Sequence, residues 1–187
     1  MRKVVAAINM TLDGFCDHTA ISPDEEIHEH YSELLNSADM LLYGRITYQL
    51  MQYWRPFVEN PSGDKSMDEF AVTMANIPKI VFSNSLKSVE WNTAKLAKND
   101  IAEEVLELRQ SGNGGSKDIL VGSPSLIVAL TNLNLINEFQ LCVHPIILGN
   151  GAKLLWKNIT DKVNLNLLKT KTFRCGAIIL YYEPTLK

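Results

Sequence analysis

Three turns place small, hydroxylated or cationic residues directly after short apolar runs, in an arrangement that can bind a phosphate. The three sets are Gly44, Arg45 and Thr47; Ser83 and Asn84; and Gly122, Ser123, Pro124 and Ser125. Backbone N–H groups at a helix start are unpaired and attract anions, and an arginine adds a planar donor fork that matches a phosphate. One such turn is routine in an α/β chain, but three of them favour a phosphorylated ligand.

Two common nucleotide signatures are absent from the chain. No GxGxxG follows the first apolar run, and the glycine-rich residues 112–115 precede a predicted strand rather than follow one. Residues 149–153 (GNGAK) resemble part of a P-loop, but Leu154 stands where a serine or threonine must bind Mg²⁺. We therefore expect a phosphate site that differs from both a Rossmann fingerprint and a P-loop.

The elements that must position these turns follow an α/β pattern. The predicted strands are residues 4–8, 40–43, 79–83, 118–121 and 138–144. The first of them is continuously apolar, which is typical of a parallel strand that is covered on both faces. Ligands of open α/β sheets bind outside the carboxyl ends of the strands, which is where all three turns lie.

Helix starts are predicted where a capping residue precedes an apolar stripe. The predicted caps are Ser22, Asp100 and Ser123. A surface loop is predicted at residues 55–69, and a short helix at residues 68–76. Residues 163–174 and 176–183 have no helical segment between them, so they predict an antiparallel hairpin that completes the sheet.

Composition limits the class of protein. The chain has 187 residues, of which 46% are hydrophobic and 21% charged, and this suits one domain over residues 1–187. The net charge is −3 without a long basic run, so nucleic acid is not an expected partner. The first apolar run is too short to span a membrane, and the three cysteines are isolated, so we expect a cytoplasmic protein. His28 and His30 point in different directions on a helix, so no metal site is expected.

Five segments carry a more specific signal through their order and spacing. They are residues 8–15 (INMTLDGF), 44–48 (GRITY), 79–83 (KIVFS), 121–126 (VGSPSL) and 145–151 (PIILGNG). Together they resemble the motifs of the dihydrofolate reductase-like superfamily, and in particular the C-terminal reductase domain of the bifunctional riboflavin-biosynthesis deaminase–reductase. The resemblance implies a three-layer α/β/α sandwich with a mixed, mostly parallel sheet and a C-terminal antiparallel hairpin.

The resemblance also implies that the phosphorylated ligand is NADPH. By its motifs, Arg45 faces the 2′-phosphate, and Thr47 lies at the pyrophosphate next to Gly44. Ser83 and Asn84 contact the adenosine ribose and its 2′-phosphate. The remaining implied cofactor contacts are Gly14, Gly122, Ser123, Pro124, Ser125, Gly149 and Gly151.

One residue departs from the family pattern, because Ser123 replaces the second glycine of the Gly-Gly turn. Its Cβ either crowds the pyrophosphate, or its hydroxyl caps the following helix and donates a hydrogen bond to the ligand. The sequence leaves both alternatives open.

The substrate side of the site is predicted from fewer residues. Asp13 is the candidate catalytic residue, and its alternative role is in a loop turn with Gly14. Tyr48 and Trp54 can stack against a flat substrate, and Asn9 is a further candidate substrate contact.

These observations support three functional hypotheses. The first is an NADPH-dependent reductase of a small pterin- or pyrimidine-like heterocycle, acting as a homodimer whose edge is the apolar run at residues 177–182. The second is a non-catalytic nucleotide-binding module on the same fold, and the third is a true dihydrofolate reductase. The deaminase zinc motif is absent from the sequence, so a stand-alone reductase is expected.

Overall fold

The computed structural model describes residues 1–111, 117–150 and 154–185. Its strands are β1 (Val4–Thr11), β2 (Ala38–Gly44), β3 (Lys79–Phe82), β4 (Ala94–Leu96), β5 (Asp118–Val121), β6 (Glu138–His144), β7 (Leu165–Thr172) and β8 (Ile178–Pro184). Its helices are α1 (Glu25–Asn36), α2 (Arg45–Met51), α3 (Pro56–Glu59), α4 (Lys65–Asn76), α5 (Ile101–Gln110) and α6 (Pro124–Asn132), with a 3₁₀ turn at Gln52–Trp54.

The eight strands form one mixed sheet in the order β4-β3-β2-β5-β1-β6-β8-β7. All pairings from β4 to β6 are parallel, and the two pairings made by β8 are antiparallel. This arrangement confirms the predicted α/β/α sandwich and its C-terminal hairpin. The sequence placed the edge of the sheet at residues 177–182, and this was wrong. That segment forms most of β8, which lies between β6 and β7, so β7 is the edge strand.

Side chains of β1 alternate between two cores, one on each face of the sheet. Val4, Ala6 and Ile8 pack in the core that α5 and α6 cover, whereas Val5 packs in the core that α1 and α4 cover. A third cluster lies under the C-terminal hairpin, where Ile27 of α1 meets Cys142 of β6. The continuous apolar run of β1 therefore serves both faces, as the sequence predicted.

Two helix starts differ from their predictions. Asp24 rather than Ser22 caps α1, since its Oδ1 accepts the N–H of Ile27 at 3.0 Å. Asp64 caps α4 in the same way, by accepting the N–H of Met67 at 3.1 Å, so that helix begins before residue 68. In both cases an aspartate carboxylate satisfies one of the first free amides, two residues after the predicted cap in α1 and four residues before the predicted start in α4.

The predicted loop at residues 55–69 is also partly wrong, because it contains α3 and the first turn of α4. Pro56 occupies the first turn of α3, where its missing N–H costs nothing. The short edge strand β4 had no sequence signal that distinguished it from a loop. Within the described residues, no helix is both long and apolar enough to cross a membrane.

Candidate cofactor and substrate site

A groove of about 530 Å³ opens at the carboxyl ends of β2, β3 and β5. Seven of the residues predicted to bind cofactor line it: Gly44, Arg45, Thr47, Ser83, Asn84, Pro124 and Ser125. Phe82 and Leu126 add apolar surface to the same groove. Parallel strands present their carboxyl ends at one edge of the sheet, and this is why three turns that are far apart in sequence share one cleft.

Arg45 provides the positive charge of the groove. Its side chain is exposed, and its Nη1 donates to Oε1 of Gln49 at 3.2 Å, one turn along α2. None of the ion pairs found within the described residues involves Arg45. The guanidinium is therefore available to an anionic ligand.

Ser83 orders the second wall of the groove. Its Oγ accepts the N–H groups of Ser85 at 3.2 Å and Leu86 at 3.0 Å, which closes a turn directly after β3. The Ser83 hydroxyl also lies 3.5 Å from the Ser85 hydroxyl, and Asn84 projects from the same turn with an exposed side chain.

Ser123 has a role that neither sequence alternative described. It is only 1% exposed, and its Oγ accepts the N–H of Gly44 at 2.8 Å. The side chain makes no capping bond to α6. The serine therefore ties the end of β2 to the end of β5, and its Cβ is directed into the protein instead of toward a ligand in the groove.

Gly44 and Gly122 allow close approach of the strand ends. A Cβ on Gly44 would lie 3.4 Å from Oγ of Ser125 and 3.8 Å from the side chain of Ser123. Gly122 is absent from the groove lining, and a Cβ there would lie 3.5 Å from the ring of Tyr43. Gly122 thus packs beneath the groove, between the end of β5 and the neighbouring strands.

Asp13 is fully engaged in the loops that follow β1 and β6. Its carboxylate accepts the Thr11 hydroxyl at 2.6 Å and the N–H groups of Leu148 at 3.0 Å and Gly149 at 2.7 Å. The bond from Thr11, followed by that from Gly149, lowers the pKa of Asp13. These three bonds support the loop role of Asp13, and its catalytic role stays a prediction.

The glycines around Asp13 serve the same loops. Gly14 has φ +91°, which disfavours any other residue, and its N–H donates to the carbonyl of Thr11 at 2.9 Å. Gly149 has φ +77° and lies outside the groove lining. Gly151 lies outside the described residues, so its predicted cofactor contact stays a prediction.

Of the two aromatic residues predicted to face substrate, Tyr48 does not do so. It is 3% exposed, and its hydroxyl accepts the N–H of Glu90 at 2.7 Å, so it is a core residue whose polar atom is satisfied internally. Trp54 is half-buried and packs edge-on against Phe70 of α4, with ring centroids 4.7 Å apart. It is absent from the groove lining, and its stacking role stays a prediction.

Asn9 lies near the end of β1 and contacts a histidine of the neighbouring strand β6. Its Oδ1 lies 3.0 Å from Nε2 of His144, at the end of β6. Burial lowers the pKa of His144, and the charge of Asp24 offsets only part of that effect. The contact joins β1 and β6, and the sequence alone does not show that these two strands are neighbours.

Comparison with known proteins adds the evolutionary context of this site. The family model described as the RibD C-terminal domain matches residues 2–179. The uncharacterized Bacillus subtilis protein YyaP is 31% identical over 189 residues, which cover 97% of this chain and 95% of that protein.

Two solved structures share the fold. A Shewanella sp. PV-4 protein ascribed to riboflavin biosynthesis superposes with a TM-score of 0.74 at 17% identity, covering 98% of this chain and 99% of that one. A pyrimidine reductase-like protein of Corynebacterium diphtheriae gives a TM-score of 0.67 at 15% identity, covering 100% of this chain and 93% of that one.

Proposed function

Because this chain belongs to the RibD C-terminal domain family, we propose that it is a reductase of a small pyrimidine- or pterin-like heterocycle and that it takes its electrons from NADPH. The observation that carries the proposal is the single groove that brings together Arg45, Ser83 and the start of α6. A ligand that spans this groove meets a cation, a hydroxyl and free backbone amides. These are the groups that a phosphorylated adenosine requires.

The residues present fit the cofactor. Arg45 is exposed and takes part in no ion pair found in the described part of the chain, so it would hold the 2′-phosphate that distinguishes NADPH from NADH. Ser83 and Asn84 would bind the adenosine ribose beside it. Bound NADPH supplies the hydride, and the share of the protein is to bind, orient and shield it.

The pyrophosphate would lie between the starts of α2 and α6. The first amides of a helix have no intrahelical partner, and the helix dipole favours negative charge there. Ser123 holds the two strand ends together through the N–H of Gly44, so the distance between the helix starts does not depend on the ligand. This fixed spacing reduces the ordering cost of binding.

A non-catalytic nucleotide-binding module on the same fold is the second candidate. The observation that favours it is the engagement of Asp13, whose carboxylate accepts three hydrogen bonds from the loops after β1 and β6. The structure offers less support for a true dihydrofolate reductase. Among the acids of α1, Asp24 caps the helix and Glu26 accepts the N–H of Arg174 at 2.9 Å.

Cofactor titration tests the proposal. Energy transfer from the protein tryptophans to NADPH should report binding at micromolar concentrations, and Arg45→Ala should lose the preference for NADPH over NADH. Arg174→Ala is a matched control, because Arg174 is exposed and outside the groove. Wild-type protein that binds neither cofactor contradicts the proposal.

Turnover separates the two candidate functions. NADPH oxidation is followed at its absorbance maximum with a panel of pyrimidines, pterins and quinones. Oxidation that depends on one of these compounds supports the reductase. Tight NADPH binding without oxidation of any of them supports the binding module.

We also propose that the protein is a cytoplasmic homodimer that associates through the C-terminal hairpin. The exposed apolar residues there are Leu165 (36% exposed), Leu167 (56%), Leu168 (48%) and Ile178 (37%). They lie on or beside the edge strand β7, where unpaired backbone groups favour association. Light scattering of wild type and Leu167→Glu tests the state: the variant should be monomeric, and a monomeric wild type contradicts the proposal.

A further inference from the structure

Strand β1 is closed to solvent except at one polar residue. Seven of its eight residues are buried, and the remaining one is Asn9. Asn9 lies on the same face as Val5, which is the face that α1 covers. Asn9 is therefore the one residue of this central strand whose side chain is accessible to solvent, and it is accessible on that face.

His144 lies beside this opening and contacts the amide. Asn9 pairs with Cys142, and Thr11 pairs with His144, in the parallel register of β1 and β6. The imidazole is 4% exposed, and its Nε2 lies 3.0 Å from Oδ1 of Asn9. It also lies 3.6 Å from Sγ of Cys142, so the ring is held between a strand neighbour and the amide.

The chemistry of this contact determines what Asn9 has left to offer. In the orientation that the amide takes in this structure, its carbonyl oxygen faces the ring, so Nε2 of His144 carries the proton and donates it to Oδ1. Burial lowers the pKa of His144, which keeps the ring in its neutral form with a single N–H. Among the hydrogen bonds of the described residues, none uses Nδ2 of Asn9 as a donor. The two amide hydrogens are therefore available to a ligand acceptor.

A purely structural role explains this arrangement poorly. The backbones of β1 and β6 already pair over seven consecutive residues, so a side-chain bond is not needed to set their register. Nδ2 of Asn9 is not among the enclosed polar atoms of the described residues that lack a partner, so its hydrogens can be reached from solvent and by a ligand.

The location of Asn9 and His144 relative to the groove indicates which kind of ligand they can contact. Strand β5, whose end begins one wall of the groove, is the direct neighbour of β1. The Cβ position of Gly122, directly before the start of α6, lies 3.7 Å from the carbonyl of Ala7, which is two residues before Asn9 in β1. Because Asn9 lies on the face covered by α1, a ligand bound there would approach the cofactor from that face.

We propose that Asn9 donates its free amide hydrogens to a carbonyl oxygen of the heterocyclic substrate, and that His144 is the positioning residue that fixes the orientation of this amide. The inference rests on the proposed function, since it places a substrate beside the cofactor groove. It predicts selectivity for heterocycles with a ring carbonyl over analogues that carry an amino group at the same position.

A pair of pyrimidines tests this selectivity. 5,6-Diaminouracil has two ring carbonyls, and 2,4,5,6-tetraaminopyrimidine has amino groups in their place. Binding of each is measured by calorimetry with the protein saturated in NADP⁺. Wild type should bind the uracil about tenfold more tightly, and Asn9→Ala should lose that preference by weakening uracil binding alone, because one hydrogen bond is worth about a factor of ten.

Two variants of His144 separate positioning from bulk structure. His144→Gln keeps a donor that reaches Oδ1 of Asn9 and should retain most of the preference, whereas His144→Leu should lose it. When Asn9→Ala is already present, adding His144→Leu should have no further effect on selectivity. Gln140→Leu is the matched control, since Gln140 lies on the same strand and face and, among the described residues, its side chain bonds only to Glu138, at 2.8 Å.

Thermal unfolding of each variant shows whether a loss of selectivity accompanies a loss of fold. The inference is overturned if Asn9→Ala retains the uracil preference, or if His144→Gln and His144→Leu lose it equally while folded. If wild type binds NADPH but neither pyrimidine, this inference fails and the proposed cofactor function stands. If wild type binds no NADPH either, both fail.

Discussion

The two ends of the parallel sheet each carry a cationic side chain, but one is exposed and the other is buried. Arg45 follows the carboxyl end of β2, is exposed, and takes part in no ion pair found in the described part of the chain. Lys79 begins β3 at the opposite end, is 1% exposed, and donates to the carbonyl of Ile77 at 2.7 Å and to the hydroxyl of Thr93 at 3.1 Å. The Trp91 ring lies 4.5 Å from its ammonium group.

The difference shows how to distinguish a binding charge from a structural one. Both residues belong to segments that resemble family motifs, so the motifs alone do not separate them. Inside the protein, a charge with its own acceptors stabilises a local arrangement. An exposed charge outside any ion pair, beside unpaired helix amides, is available to a ligand.

The largest expected effect comes from removing the available charge. Arg45→Ala should weaken NADPH binding about 100-fold, because a charge-assisted phosphate contact is worth about 2 to 3 kcal/mol. NADH binding and the unfolding temperature should not change, since Gln49 is the only hydrogen-bond partner of the Arg45 side chain within the described residues. Fluorescence titration and thermal unfolding measure the two quantities, and a fall in unfolding temperature would show that Arg45 is structural after all.

The link beneath the groove should give the next largest effect. Ser123→Ala leaves the buried N–H of Gly44 without its acceptor, so the free energy of unfolding should fall by about 1 to 3 kcal/mol. NADPH binding should weaken as well, because the two helix starts lose their fixed spacing. Urea unfolding and cofactor titration check both effects.

Ser125→Ala is the control for that link. Ser125 is exposed in the groove, so its loss should leave the stability unchanged. Equal destabilisation by the two variants would contradict the special role of Ser123.

The opposite end of the sheet predicts a pH dependence of stability. Burial lowers the pKa of Lys79 to about 8, against 10.5 in the unfolded chain. Below pH 8 both states are charged, and the folded state bears a constant cost. Between these two pKa values the unfolded state binds more protons, so the contribution of Lys79 to stability becomes more favourable as the pH rises.

Comparison with Lys79→Met isolates this contribution from other groups. From pH 7 to pH 9.5, the free energy of unfolding of wild type should rise relative to the variant by about 1 to 2 kcal/mol. Urea unfolding of both proteins at the two pH values measures it. A pH-independent difference would mean that Lys79 keeps its charge when buried.

The smallest effect is expected at the loop anchored by Asp13. Asp13→Asn removes the charge but keeps one acceptor oxygen, so the unfolding temperature should fall by about 3 °C. Turnover of any substrate found should persist, since the carboxylate acts on Leu148 and Gly149 and not as a proton donor. Complete loss of turnover in a folded variant would restore its predicted catalytic role.

Much of this architecture could be predicted because its signals are local. The strand runs, the cap at Asp100 and the helix that starts at Pro124 depend on residues within a few positions of each other. The turns that line the groove were predictable for a related reason. Parallel strands place their carboxyl ends at one edge, so the order of elements already predicts a shared site.

Several side chains contact partners that the sequence could not predict, because those partners are distant along the chain. Tyr48 is an aromatic residue of the kind that stacks on a flat substrate, but its hydroxyl accepts the backbone N–H of Glu90, 42 positions away. Asp13 finds the loop after β6, and His144 finds Asn9, each 135 positions away. No local pattern predicts such partners, because they depend on which strands are neighbours.

By itself, the sequence determined the alternation of strands and helices, the family of the fold and the residues that could bind a phosphate, since hydrophobic period, capping and turn chemistry act over a few residues. Only the tertiary structure decided which polar groups are free. It left Arg45 available, engaged Asp13 and directed Ser123 to Gly44. A hydrogen bond within the protein removes a group from binding, and whether that bond forms depends on the packing of elements that are distant along the chain.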